Sequence, residues 1–224
     1  MELPPSDQAL LEEDAADFIL RKADELAGEL TIVTLGRLTN IARALEKDKN
    51  LPRKVKALVA MGGCMDVPGN VTPYAEANIM GDARAADMVL RAGFRMTLVG
   101  MDVTTKTYLT AHDLALLEGY CKEENRPIAA YLKEALQYYF RFYHQSSGFV
   151  DRCVMHDPLA MLIAEHPSLG EYRMLRLGTE HGDGLYKGML QWDGRFHAMF
   201  EHDEILYCVR VDSDLAVRRF FSVF

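Results

Sequence analysis

Two short runs of this 224-residue chain hold its most informative side chains. The first is Met61-Gly62-Gly63, followed by Gly69-Asn70-Val71-Thr72-Pro73 and Ala75-Glu76-Ala77-Asn78; the second is His156-Asp157-Pro158-Leu159-Ala160. Both follow apolar stretches that read as strands, so two amides, two acids and an imidazole fall on connecting segments. Amides and carboxylates grip hydroxyl groups, a carboxylate holds a hard cation, and an imidazole protonates a leaving group. Glu76 and Asn78, two apart, project to one side of an extended backbone and would clamp adjacent hydroxyls. Asn70 follows Gly69, where the missing side chain lets backbone approach a ligand. An isolated Asn beside Gly is ordinarily a turn residue, but this segment carries more polarity than a turn requires.

His156 and Asp157 stand at a predicted helix start, and two readings are open. Asp157 caps the helix, with Pro158 in its first position. Alternatively, Asp157 is a cation ligand and His156 an acid near neutral pH. The other histidines show no ligand spacing, and there is no H-E-x-x-H, phosphate-binding glycine loop or nucleophile elbow.

The elements that must position these groups alternate. A helix is predicted over 14–27, a β-rich run over 30–35 closed by Gly36, and a helix through Asn40 to Lys47. An apolar strand over 55–61, a helix over 83–91 and a third apolar strand over 94–101 follow. Strands this continuously apolar, separated by helices, predict an α/β fold with a mainly parallel sheet and helices on both faces. In such sheets ligands bind beyond the carboxyl ends of the strands, where the polar runs fall. Downstream the chain turns helical near 114–122, 127–143 and 157–165. Exposed strands are expected over 171–177, 185–192 and 204–211, then a closing helix near Leu215.

Composition narrows the function classes. About half the residues are hydrophobic, so a core is expected and disorder is not. A net charge of −8 argues against nucleic acid or an anionic membrane as partner. Cys64, Cys121, Cys153 and Cys208 form no C-x-x-C pair and read as reduced thiols. With no long apolar run and no leader, a cytoplasmic location is the expectation.

In order and spacing, Leu38-Thr39-Asn40-Ile41-Ala42, Met61-Gly62-Gly63, Gly69-Asn70-Val71-Thr72-Pro73, Ala75-Glu76-Ala77-Asn78 and His156-Asp157-Pro158 resemble the inosine-uridine preferring nucleoside hydrolases. Gly100-Met101-Asp102-Val103-Thr104 is similar to the family's Gly-Leu-Asp-Val-Thr strand end. The resemblance runs from about Asp14 to the C-terminus. It implies hydrolysis of the N-glycosidic bond of purine or pyrimidine ribonucleosides, with calcium as the cofactor. By that resemblance the Thr39 carbonyl and the Asp157 carboxylate coordinate calcium. Asn70, Glu76 and Asn78 hold the ribose, Met61 lies against the sugar, and His156 assists the leaving base. Tyr139 and Tyr143, at i and i+4, are candidates for approaching the base, with ordinary helix packing as the other reading. The partner expected is a small nucleoside, with homo-oligomerisation common in the family.

One family feature has no counterpart. The Asp-x-Asp-x-Gly-x-Asp-Asp cluster that opens the family fold supplies further calcium ligands and the base that activates water. Glu12-Glu13-Asp14 and Asp212-Ser213-Asp214 lack its spacing. Arg37, Ala77 and Ala83 depart from the proline, phenylalanine and proline usual there. The expectation is a single nucleoside hydrolase-like domain over 1–224, incomplete at its N-terminus and inactive as an isolated chain. A non-catalytic remnant acting as a binding subunit is the alternative.

Overall fold

The computed structural model describes residues 9–148, 150–195 and 202–224; the Pro4-Pro5-Ser6 opening and His197 lie outside them. Helix α1 (Ala15–Glu25) begins where the Asp14 carboxylate accepts the Ala16 N–H at 2.9 Å. Strand β1 (Thr31–Thr34) leads to α2 (Thr39–Lys47), which buries Ile41, Ala42, Ala44 and Leu45 on one stripe. A short α3 (Leu51–Lys54), with Pro52 in its first turn, precedes β2 (Ala57–Met61). Helices α4 (Ala77–Gly81) and α5 (Ala83–Leu90) then lead to β3 (Met96–Val99) and a one-turn α6 (Met101–Thr104).

Strand β4 (Tyr108–Thr110) runs into α7 (Ala111–Tyr120), which opens with a reciprocal Thr110/Asp113 capping box. The 22-residue α8 (Arg126–Ser147) ends at Gly148 in left-handed conformation. After β5 (Arg152–Val154) comes α9 (His156–Glu165), then β6 (Gly170–Leu175), β7 (Leu177–Thr179), β8 (Leu190–Trp192), β9 (Ile205–Val211) and α10 (Ser213–Phe221).

The main sheet has the order β1-β2-β3-β9-β6. The first four strands are parallel and β6 pairs antiparallel with β9. Thr34 lies opposite Ala60 and Met61 opposite Val99, so the carboxyl ends of β1, β2 and β3 line up on one edge. The period-two alternation of β2 feeds two cores. Leu58 and Ala60 pack with α1, α2 and α5, whereas Val59 and Met61 pack with α6, α8, α9 and α10. The sheet is thus covered on both faces, as the sequence predicts.

Three local expectations are corrected. The run over 204–211 is not an exposed strand: β9 lies inside the sheet, with Ile205, Tyr207 and Cys208 buried. Strand β1 is not doubly buried. It is paired only with β2 among the described residues, so all four of its residues are half-buried. Glu76 and Asn78 do not sit on extended backbone: Glu76 caps α4 and Asn78 lies in its first turn.

Candidate active site

The carboxyl end of β2 is organised by one buried carboxylate. Glu76, 2 % exposed, accepts hydrogen bonds from Asn78 N–H through Oε1 (2.8 Å) and from Gly63 and Ile79 N–H through Oε2 (2.9 and 3.2 Å). It therefore caps α4 and ties that helix to the glycine pair after Met61. Gly63 has φ of +78°, a left-handed conformation, and a Cβ there would strike the Leu190 side chain. The Asn78 amide donates to the Met61 carbonyl (3.1 Å) and Sδ (3.3 Å), and more distantly to the Leu35 carbonyl (3.5 Å). This leaves Asn78 Oδ1 without a hydrogen bond among the described residues. Asn70 is the complement: its Oδ1 accepts the Ala77 N–H at 3.0 Å, and its amide NH₂ stays available. Asn78 thus keeps an acceptor and Asn70 a donor without a partner among the described residues, the two functions that vicinal hydroxyls require.

Helix α6 joins this loop to the histidine. The Met101 N–H donates to the Gly63 carbonyl at 2.8 Å. The buried Asp102 carboxylate accepts the Met65 and Asp66 N–H groups (3.0 and 2.7 Å) and the Tyr207 hydroxyl (2.5 Å). Thr104 Oγ1 lies 2.7 Å from His156 Nδ1. Burial lowers the His156 imidazole to about 4. At neutral pH the ring is therefore uncharged, a departure from the expected acid titrating near neutrality. Neither Asp102 nor Thr104 was assigned a role from sequence. Their signal was an Asp and a Thr two residues apart directly after an apolar strand.

Thr39 and Asp157 stand apart from each other in their bonding. The Thr39 hydroxyl donates to Asp82 Oδ2 at 2.7 Å, while Asp82 Oδ1 caps α5 at the Ala85 N–H. Asp157 does not cap α9, which begins at His156 with no side-chain cap. Its carboxylate makes no hydrogen bond or ion pair among the described residues, and partial burial raises its pKa. Asp157 also adds to the forces raising the Tyr143 phenol, chief among them burial. Tyr139 and Tyr143 pack edge to face at 4.9 Å, with hydroxyls 3.5 Å apart and Phe142 against both. Helix packing and proximity to Asp157 therefore coexist in this pair.

Calcium takes six to eight oxygens. Thr39 carbonyl and Asp157 carboxylate fall short of that number, and among the described residues no three acidic, His or Cys side chains gather at one point. These residues alone do not make a closed calcium site.

The structure thus joins Met61, Asn70, Glu76 and Asn78 by direct hydrogen bonds or through α4, and links His156 to their loop through α6. Thr39 bonds to Asp82 at the start of α5, and Asp157, next to His156 in α9, acts electrostatically on Tyr143. Cys64 and Cys153 are buried near these motifs, with thiols pushed up to about 11 and about 12, so both are poor nucleophiles. A hollow of about 660 Å³ lies elsewhere, lined by Leu114, Lys133, Phe140, Arg141 and His144.

Comparison with known proteins bears on this geometry. A family model described as inosine-uridine preferring nucleoside hydrolase matches residues 1–218. Uridine nucleosidase 1 of Arabidopsis thaliana is 36 % identical over 198 residues, 86 % of this chain and 57 % of that protein. A pyrimidine-specific ribonucleoside hydrolase of Shewanella is 33 % identical over 178 residues, 79 % of this chain and 54 % of its own length. Among solved structures, a plant nucleoside hydrolase superposes with a TM-score of 0.89 at 31 % identity, covering 97 % of this chain and 68 % of that one. A purine-preferring ribonucleoside hydrolase from Gardnerella vaginalis gives 0.89 at 28 % identity, covering 99 % and 68 %. The chain spans little more than half the length of these curated relatives.

Proposed function

The chain belongs to the inosine-uridine preferring nucleoside hydrolase family, and we propose that it acts on the N-glycosidic bond of a ribonucleoside, to give ribose and the free base in nucleoside catabolism. The observation that carries this reading is that Asn78, in the helix Glu76 caps, and Asn70, which accepts the Ala77 N–H of the same helix, follow β2, while His156 bonds to Thr104 at the end of the adjacent β3. Asn78 Oδ1 and the Asn70 amide meet the ribose hydroxyls, and Met61 lies beneath them. Cleavage builds positive charge on the anomeric carbon and ring oxygen. The departing base gains electron density, which a donor on His156 stabilises. Tyr139 and Tyr143 flank the base. The relatives named uridine nucleosidases and pyrimidine-specific hydrolases support uridine as the first substrate to test.

Metal and water activation are the weak side of the site. Calcium would be held by Thr39 and Asp157, and two protein ligands leave an ion mostly hydrated. Glu76, Asp82 and Asp102 are each committed to internal donors, so none is a ready base for water. For the isolated chain this favours nucleoside binding with hydrolysis at trace rates. Calorimetry with uridine should show binding that Asn78→Ala weakens about tenfold, the size of one hydrogen bond. No detectable uridine or ribose binding would sink the reading. Rapid ribose release unaffected by Asn78→Ala or His156→Ala would mean other groups do the chemistry. Calcium titration should give weak binding; sub-micromolar affinity would require ligands beyond Thr39 and Asp157.

A further inference from the structure

Thr104 is fully buried, and its hydroxyl must place its proton on something. Its neighbours have other acceptors: Thr105 donates to the Met101 carbonyl at 2.6 Å, and Thr107 has the Val103 carbonyl at 3.3 Å and the Ser213 hydroxyl at 2.8 Å. Thr104 does not follow them. The carbonyl four residues back, Gly100, already accepts the Val103 and Thr104 N–H groups, both at 3.2 Å. The acceptor that remains is His156 Nδ1, 2.7 Å away.

A hydroxyl that donates to Nδ1 requires that nitrogen to present its lone pair. We propose that Thr104 is a positioning residue that fixes the tautomer of His156: its hydroxyl keeps the Nδ1 lone pair as acceptor, and the ring proton sits on Nε2. Nε2 makes no hydrogen bond among the described residues, which leaves Nε2–H free to donate. The opposite tautomer would place Nδ1–H against the hydroxyl and orphan the Thr104 proton in the interior. It would also turn a lone pair toward any incoming acceptor. The backbone holds this geometry: His156 opens α9 directly after Met155, whose N–H donates to the Thr107 carbonyl at 2.8 Å.

The consequence for chemistry rests on the reading of His156 as the group facing the leaving base. A fixed Nε2–H donor suits bases that carry a carbonyl oxygen or ring-nitrogen lone pair close to the glycosidic nitrogen. It disfavours leaving groups that present only hydrogen-bond donors there.

Nitrogen NMR of the full chain labelled with ¹⁵N-histidine, at neutral pH, tests the tautomer, with His156→Gln identifying the signals. The wild type should show a protonated Nε2 and a lone-pair Nδ1. Thr104→Ser, which keeps the hydroxyl, should give the same pattern. Thr104→Val, which keeps the shape, should move the tautomer ratio by on the order of fivefold toward Nδ1–H, the worth of one net hydrogen bond. A wild-type ring protonated on Nδ1, or on both nitrogens, overturns the proposal, as does an unchanged ratio in Thr104→Val. Should Thr104→Val not fold, the wild-type and Thr104→Ser spectra decide. None of these spectra needs a nucleoside, so a failure of the hydrolase reading shows itself separately in the binding assay.

Discussion

Replacing Glu76 by Ala should be the most damaging single change at this site, because one carboxylate satisfies three backbone donors. The Gly63, Asn78 and Ile79 N–H groups converge on it at 2.9, 2.8 and 3.2 Å. Each donor left unpaired in the interior costs about 1–3 kcal/mol. Three give an upper range of roughly 3–9 kcal/mol, and water entering the vacated space offsets part of it, so about 4 kcal/mol is expected. For a chain of this length a urea slope near ~2 kcal/mol per molar converts this into a midpoint lower by ~2 M. Glu76→Gln retains one acceptor oxygen but aims its NH₂ at a backbone donor, so about half that shift, ~1 M, is expected. Amide exchange at Gly63 and Ile79 should accelerate in Glu76→Ala, since those protons lose their acceptor. Equilibrium urea unfolding followed by circular dichroism gives the midpoints. Midpoints within ~0.3 M of the wild type for both variants would show that the glycine loop and α4 are held by something other than this carboxylate.

The other expectations are separable from that one. Burial lowers His156 to about 4 from its ordinary 6.5, so the unfolded chain takes up the proton first as pH falls. Stability from this group is complete above about 6.5 and is lost as pH falls toward 4, by ~3 kcal/mol in all. Asp157, raised by burial, acts in the opposite sense, costing stability as pH climbs past its ordinary value. Urea midpoints across this window should slope upward with pH and flatten in His156→Gln; an equal slope in that variant would refute the assignment. Asp102→Asn and Tyr207→Phe should couple by roughly 1–2 kcal/mol in a double-mutant cycle, because the 2.5 Å hydrogen bond between them is buried. Strictly additive effects would show that bond to be incidental. Gly63→Ala should lower stability by roughly 2–4 kcal/mol, combining left-handed strain with the clash against Leu190. A thermal melting point unchanged by the substitution would rule that out.

The sequence by itself determined the layered α/β architecture and the family. Runs such as 57–61 and 96–99 are apolar on both faces, and such a strand is stable only when helices cover each side. Its motifs also marked Met61, Asn70, Glu76, Asn78 and His156, because turn glycines, amides and an imidazole after strands are local signals. Tertiary structure alone decided what each does. Extended spacing suggested that Glu76 and Asn78 act as a pair of clamps, but Glu76 is turned inward by two N–H groups of the helix it caps and by the Gly63 N–H, 13 positions away, and no local pattern encodes that last contact. Strand β9 reads as an exposed strand because its neighbours β3 and β6 lie far away in sequence. The partnership of Thr104 with His156, 52 positions apart, exists only because α6 and α9 meet beyond the sheet edge. Local propensities act over a few residues, whereas a buried hydroxyl finds its acceptor wherever packing puts one.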